Sequence, residues 1–227
     1  QKPRMMRVLP RGDWLDDSGE EVNPAVPGFL NQIETKEARA TRLDLANWMI
    51  SRDNPYTARV FVNRLWKLFF GRGIVKSLDD FGSQGSWPTH PALLDWLAIE
   101  FMEKGWDIKH MARLIVSSAT YRQSSATNAA HEKIDSQNRY LWRMNAGRAE
   151  AEVIRDSILH VAGSLDTTVG GAEVDTKSAP TSRRRAMYFT IFPEVGGRTQ
   201  FIALFDAPDP CDCYLRTTSI IPQQALA

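Results

Sequence analysis

The densest cluster of groups able to do acid–base chemistry lies in Glu150-Ala-Glu-Val-Ile-Arg-Asp156. Glu152, Arg155 and Asp156 stand three and four residues apart, so on a helix they share one face. Paired carboxylates at this spacing can act as general acid and base, or bind a hard cation. The competing reading is a charge network joining this helix to another, with Arg64 or Arg122 as partner. That structural reading is the favoured one. Asn63-Arg64 poses a similar question, because an arginine inside an apolar helix must meet a carboxylate or backbone carbonyls. Tyr121-Arg122-Gln123, just past another apolar helix, is read in the same way.

Two cysteines, Cys211 and Cys213, have one residue between them, which strains a mutual disulfide. Free thiols, or a thiol paired elsewhere, are expected. Covalent c-type haem needs two cysteines two residues apart followed by histidine. Cys211-Asp-Cys-Tyr214 lacks both features, so this segment is expected to hold no haem and no other cofactor. A thiolate pair could add to a zinc or copper site only with further ligands. His90, His110, His131 and His160 never recur at the spacing that puts two imidazoles on one helical face. The expectation is therefore no metal, with Cys213 as a weak candidate ligand.

Seven tryptophans raise the question of carbohydrate stacking. Trp48, Trp66, Trp96, Trp106 and Trp142 sit in or beside apolar helical patterns and read as core. Trp14 and Trp87 lie in loops and are the candidates for an exposed stacking surface, with Trp87 carried forward as a substrate-binding residue. Arg11-Gly12-Asp13 resembles an adhesive tripeptide but reads as a turn. The run Arg183-Arg-Arg185 reads as a solvated face. The sequence contains no nucleophile elbow, no phosphate-binding glycine loop and no His-Glu-x-x-His motif.

These groups must be positioned by helices. Thr41 with Asp44 makes a capping-box pattern, followed by an apolar face of Leu45, Ala46, Trp48 and Met49. Asn54-Pro55 restarts the chain as cap and first helical residue. The helix that follows is apolar on more than one side and should lie centrally; Gly71 ends it. Phe81-Gly-Ser-Gln-Gly-Ser-Trp87 reads as a glycine-rich connector to a helix capped by Thr89 or His90 and started by Pro91. Gly105 closes that helix and Asp107 caps the next. Gln123 to Gln137 reads as a loop, and a further helix spans about Arg148 to Ala162, stopped by Gly163. Ala186-Met-Tyr-Phe-Thr-Ile-Phe192 is strand-like.

The expected fold is mainly α: a helical, bundle-like domain with a small extended or β annex formed by the N- and C-terminal segments. Its expected parts are an extended segment over 1–40, a helical core over 41–165 and a loop-rich segment with a short strand over 166–227. The chain has 227 residues and a formal net charge of +1. Such a balance argues against general nucleic-acid binding, which needs a positive excess to displace counterions. No apolar stretch approaches the roughly 18 residues of a membrane span. The abrupt start at Gln1 and stop at Ala227 lead us to expect a piece of a longer polypeptide.

Several stretches together resemble a known family. They are Asn54-Pro-Tyr-Thr-Ala-Arg-Val-Phe-Val-Asn-Arg-Leu-Trp66, Phe70-Gly-Arg-Gly-Ile-Val75, Asp80-Phe-Gly-Ser-Gln-Gly85 and His90-Pro-Ala-Leu-Leu-Asp-Trp-Leu97. With them go Ser118-Ala-Thr-Tyr-Arg-Gln-Ser124, Asn138-Arg-Tyr-Leu-Trp-Arg-Met-Asn145, Glu150-Ala-Glu-Val-Ile-Arg-Asp156, Phe205-Asp-Ala-Pro208, Cys213-Tyr-Leu-Arg216 and Pro222-Gln-Gln-Ala-Leu226. The chain resembles, over nearly its whole length, the planctomycete-specific domain of unknown function that accompanies cytochrome-c-like domains.

The resemblance implies a large extracytoplasmic (periplasmic) parent protein with a c-type haem on a separate domain. The implied partners are that cytochrome-c-like domain, other domains of the same polypeptide, and carbohydrate. It points to Asp206, Cys213 and Arg216, then Glu150, Glu152, Arg155 and Asp156, as the positions to form a site. Glu150, Glu152, Asp156 and Asp206 are then the catalytic candidates, and Arg155, Arg216 and Trp87 the substrate-binding ones. Cys211 falls outside the family pattern. Three functions follow: a domain that shapes the substrate site or docks the haem domain in a carbohydrate-oxidising system, a structural or interaction module, or a carboxylate-dependent polysaccharide hydrolase or lyase.

Overall fold

The computed structural model describes residues 4–35, 37–191, 199–206 and 219–226. The chain divides into two compact units, Gln1–Ala146 and Gly147–Ala227. The architecture is mainly helical, as expected.

The first unit begins with a two-stranded antiparallel sheet. Strand β1 (Met6–Arg7) pairs with β2 (Glu21–Val22), Met6 opposite Val22. Both strands come from the N-terminal segment. Between them, Pro10–Gly12 forms a tight 3-10 turn, with Arg11 and Gly12 both at positive φ, so the Arg-Gly-Asp tripeptide is a turn.

Five helices matter for the first unit's framework: α1 (Arg42–Met49), α2 (Thr57–Phe70), α3 (Pro91–Glu103), α4 (Ile108–Ser117) and the short α5 (Ala119–Arg122). The capping box is present at α1, where the Thr41 side chain accepts from Asp44 N and Asp44 accepts from Thr41 N. The apolar face read for α1 is not buried: Leu45 and Met49 are both exposed. Helix α2 starts two residues later than Asn54-Pro55 suggests. Asn54 still acts, because its side-chain oxygen accepts from the amides of Tyr56 and Thr57 at 2.9 and 3.1 Å. Gly71 terminates α2 in the left-handed conformation (φ 72°), where a side chain would be strained.

Helix α2 is central, as its two-sided apolar pattern requires. Val62, Leu65, Trp66 and Phe70 pack with Leu94, Leu97 and Phe101 of α3 and Met111 and Ile115 of α4. Phe61 stacks on Phe101 at 4.9 Å and Trp66 on Phe70 at 4.2 Å. The buried polar residue of this helix is Asn63, not Arg64. Asn63 is fully buried and bonds both backbone groups of Val75 at 2.9 Å. Arg64 lies half-exposed beside Asp79 at 3.2 Å. Asp107 caps α4 through the amides of Lys109 and His110. Between Gln123 and Gln137, read as a loop, the polar chain forms a short helix, α6 (Ala129–Ile134), because Asn128 caps it.

The second unit is built on α7 (Ala151–Val161), with the short α8 (Gln200–Leu204) and α9 (Gln223–Leu226). Its small core comprises Ala151, Ala179, Ala186, Phe189 and Ile202. The strand-like run from Ala186 is instead a 3-10 turn at Ala186–Tyr188, and Phe189 joins Val174 in an isolated bridge. The amide of Ala186 is taken by Asp156 at 2.8 Å, which diverts this backbone from a ladder.

Candidate functional site

Polar groups gather at several places among the described residues, and two of them hold the candidates read from the sequence. The first is the glycine-rich connector of the first unit. Ser77 organises it: its hydroxyl donates to Asp80 O at 2.8 Å and accepts from Ser86 N at 2.7 Å. Asp80 also accepts from Gly82 N at 2.7 Å. A Cβ on Gly85 would fall 2.2 Å from Asp80 O, so only glycine lets the loop close this tightly. Thr89 N donates to Ile74 O at 2.9 Å and fixes the far end. This braced loop presents Trp87 at 89% exposure.

Trp87 stands on the rim of a groove of about 470 Å³. The volume falls within the ~300–1,000 Å³ of ordinary ligand pockets. Tyr56, Val75, Phe81, Pro88, Pro91 and Leu94 supply apolar wall, and Arg59 and Asp95 supply the charge. Arg59 Nε donates to Asp95 at 2.6 Å and its Nη1 to Pro55 O at 2.6 Å, so this charged pair is pre-oriented. Sequence reasoning found Trp87 but missed Tyr56, Phe81, Arg59 and Asp95. Their shared signal was the clustering of prolines and glycines on either side of two apolar helices.

The second place is α7 of the second unit. Arg155 is buried to 9% exposure and is spent on backbone. It donates to the carbonyls of Arg184 at 2.8 Å, Ser182 at 2.7 Å and Ala179 at 3.4 Å, and lies over the Phe189 ring at 4.8 Å. Asp156 stands 3.5 Å from both Arg155 and Arg185. Within this unit, Arg185 and loop carbonyls are among the partners of the α7 charges. Arg184 works alike, donating to Thr168 O and Gly170 O at 2.7 and 2.6 Å and covering the Tyr188 ring at 4.1 Å. The basic run is thus partly internal and not simply a solvated face.

Asp206 belongs to a different node. It is paired with Arg148 and accepts from Ser219 N at 2.8 Å and Ser219 Oγ at 2.5 Å. Arg148 in turn donates to Ser219 O and Gln224 Oε1. The Ser219 hydroxyl first, then its amide and the Arg148 charge, hold the Asp206 carboxyl below its ordinary range. A carboxyl kept ionised and fully hydrogen-bonded is poorly suited to be a general acid. Glu152 lies half-buried on α7 and Glu150 is the exposed residue preceding its first turn. Cys211, Cys213 and Arg216 lie outside the described residues.

The histidines are dispersed. His110 meets Glu100 at 2.8 Å, His90 packs on Tyr140 and His131 on Trp142. Among the described residues there is no group of three or more His, Cys, Asp or Glu placed to hold a metal ion, and no helix long and apolar enough to cross a membrane. Trp14 is exposed, as read, and Trp66 is core, but Trp96 is half-exposed on the outer side of α3.

Compared with known proteins, residues 41–227 match a family model described as PSD1, protein of unknown function (DUF1553). No curated protein and no solved structure matches.

Proposed function

The chain belongs to the PSD1 family of proteins of unknown function, and from that premise we propose that its first unit is a sugar-binding module. The observation that carries this reading is Trp87, held almost fully exposed by a braced loop at the edge of an apolar groove. An exposed indole beside an apolar groove offers a flat stacking surface, which the apolar face of a pyranose can cover. The Arg59–Asp95 pair offers donors and acceptors to hydroxyls at the groove wall. Its lining contains a single carboxylate, Asp95, already engaged by Arg59. The module therefore holds a sugar and leaves the bond-making to another domain. In the arrangement that the resemblance implies, that domain carries a c-type haem and the parent protein works outside the cytoplasm.

The test is an NMR titration of the 227-residue chain with a panel of oligosaccharides. Shifts are expected at the Trp87 indole N–H and at the amides of residues 82–86, with Trp87→Ala lowering affinity at least tenfold. A panel that leaves the Trp87 indole unmoved removes the proposal.

A second reading, a docking module for other domains of the same polypeptide, draws on α1. Leu43, Leu45, Met49 and Ile50 are all exposed there. Slower amide exchange in α1 within the parent protein than in this chain alone would favour it.

A further inference from the structure

A second, smaller hollow adjoins the groove and shares Ser86 and Trp87 with it. It measures about 220 Å³, and Arg72, Lys76 and Arg139 line it together with Gln137. That is below the ~300 Å³ of ordinary ligand pockets, so it suits a substituent rather than a whole ligand. Its lining holds three cations and no carboxylate.

A nearby carboxylate is Asp135, whose oxygens already accept the amides of Arg139 and Tyr140 at 2.9 Å each. Among the described residues, the lining itself stays cationic. The loop that presents Arg139 is firm: Asn138 is buried at φ 49° and its side chain donates to Arg143 O at 2.7 Å and to Asn145 at 2.8 Å.

We propose that Arg72, Lys76 and Arg139 form an anion subsite for a carboxylate or sulfate borne by the sugar that stacks on Trp87. The proposal rests on the groove reading above and narrows its ligand to acidic sugars. Guanidinium forks match the paired oxygens of either group, and the ammonium of Lys76 adds a point charge. The chain's near-zero net charge, +1, sets this local excess apart from a general polyanion-binding surface.

The experiment is calorimetry on the 227-residue chain with matched oligosaccharides that are neutral, carboxylated or sulfated, and with inorganic sulfate alone. One acidic series is expected to bind at least tenfold tighter than the neutral one, and which series does so identifies the substituent. The Lys76→Gln/Arg139→Gln variant, its fold checked by circular dichroism, should lose that preference while keeping the neutral affinity. Equal binding of neutral and acidic sugars would overturn the subsite and leave the groove standing. A preference that survives the double substitution overturns the assignment to these residues. Inorganic sulfate binding as tightly as the sulfated sugar makes this a bare anion site and overturns the sugar-borne part. If no oligosaccharide of any charge binds, the groove reading falls and the subsite with it.

Discussion

The two units are held together in different ways. In the first, three helices bury an apolar core around α2, and a single fully buried amide, Asn63, ties the core to the bend at Val75. In the second, the core is small and two arginines, Arg155 and Arg184, gather loop carbonyls that no regular element satisfies. Where helices supply the packing, charge is free to sit at the surface. Where loops supply it, charge is drawn inward to complete their hydrogen bonds. A dense charge cluster in sequence therefore marked the structural hub, and a nearly charge-free glycine loop carried the exposed Trp87.

Substitutions can break this contrast. Asn63→Ala should have the largest effect, about 3 kcal/mol by chemical denaturation, because it strands both backbone groups of Val75 in the interior. Gly73→Ala should act on the same joint, since its Cβ would lie 2.4 Å from Val75 O and 2.8 Å from the Asn63 oxygen. Arg155→Met should cost about 2 kcal/mol, with amide exchange rising over residues 179–186, since apolar bulk replaces part of the packing but no hydrogen bond. A loss no larger than that of an exposed arginine would contradict the hub reading. Thr41→Ala should cost about 1 kcal/mol, the usual worth of a cap.

Acid sharpens the comparison further. Asp44 is held below its ordinary range chiefly by the Thr41 hydroxyl, Asp107 by the His110 amide and Asp206 by the Ser219 hydroxyl. A carboxyl depressed in the folded state contributes stability that is complete above the unfolded value of about 3.9 and lost as pH falls through the lower folded value. Stability from these three should be flat from neutrality to about pH 5 and decline below about pH 4. A thermal melt series that begins to fall at pH 6 would point to other groups.

Much of the framework was legible because its signals are local. Thr41 with Asp44, Gly71, Asp107 and Gly163 act on amides or dihedrals within a few residues, and each stands where its type and spacing indicate. The exposed state of Trp87 was legible for the same reason, since a loop between two glycines and two prolines cannot bury an indole by itself. Trp96 was not legible. Apolar neighbours on α3 suggest a core position, yet the helix turns it outward. The aromatic run from Ala186 has strand chemistry, but an aspartate thirty residues earlier claims its backbone.

Residue order alone determined that the chain is mainly helical, where most helices begin and end, and that Glu152, Arg155 and Asp156 share one helical face. Tertiary structure decided what Arg155 meets: carbonyls 24 to 29 residues away, which have no side-chain signature. It also decided that Asn63 rather than Arg64 faces inward, and that Arg59, Asp95 and Trp87 converge on one groove. The reason is physical. Caps and turns are settled by short-range sterics and hydrogen bonds, whereas a site is a meeting of distant segments whose approach depends on how whole helices pack.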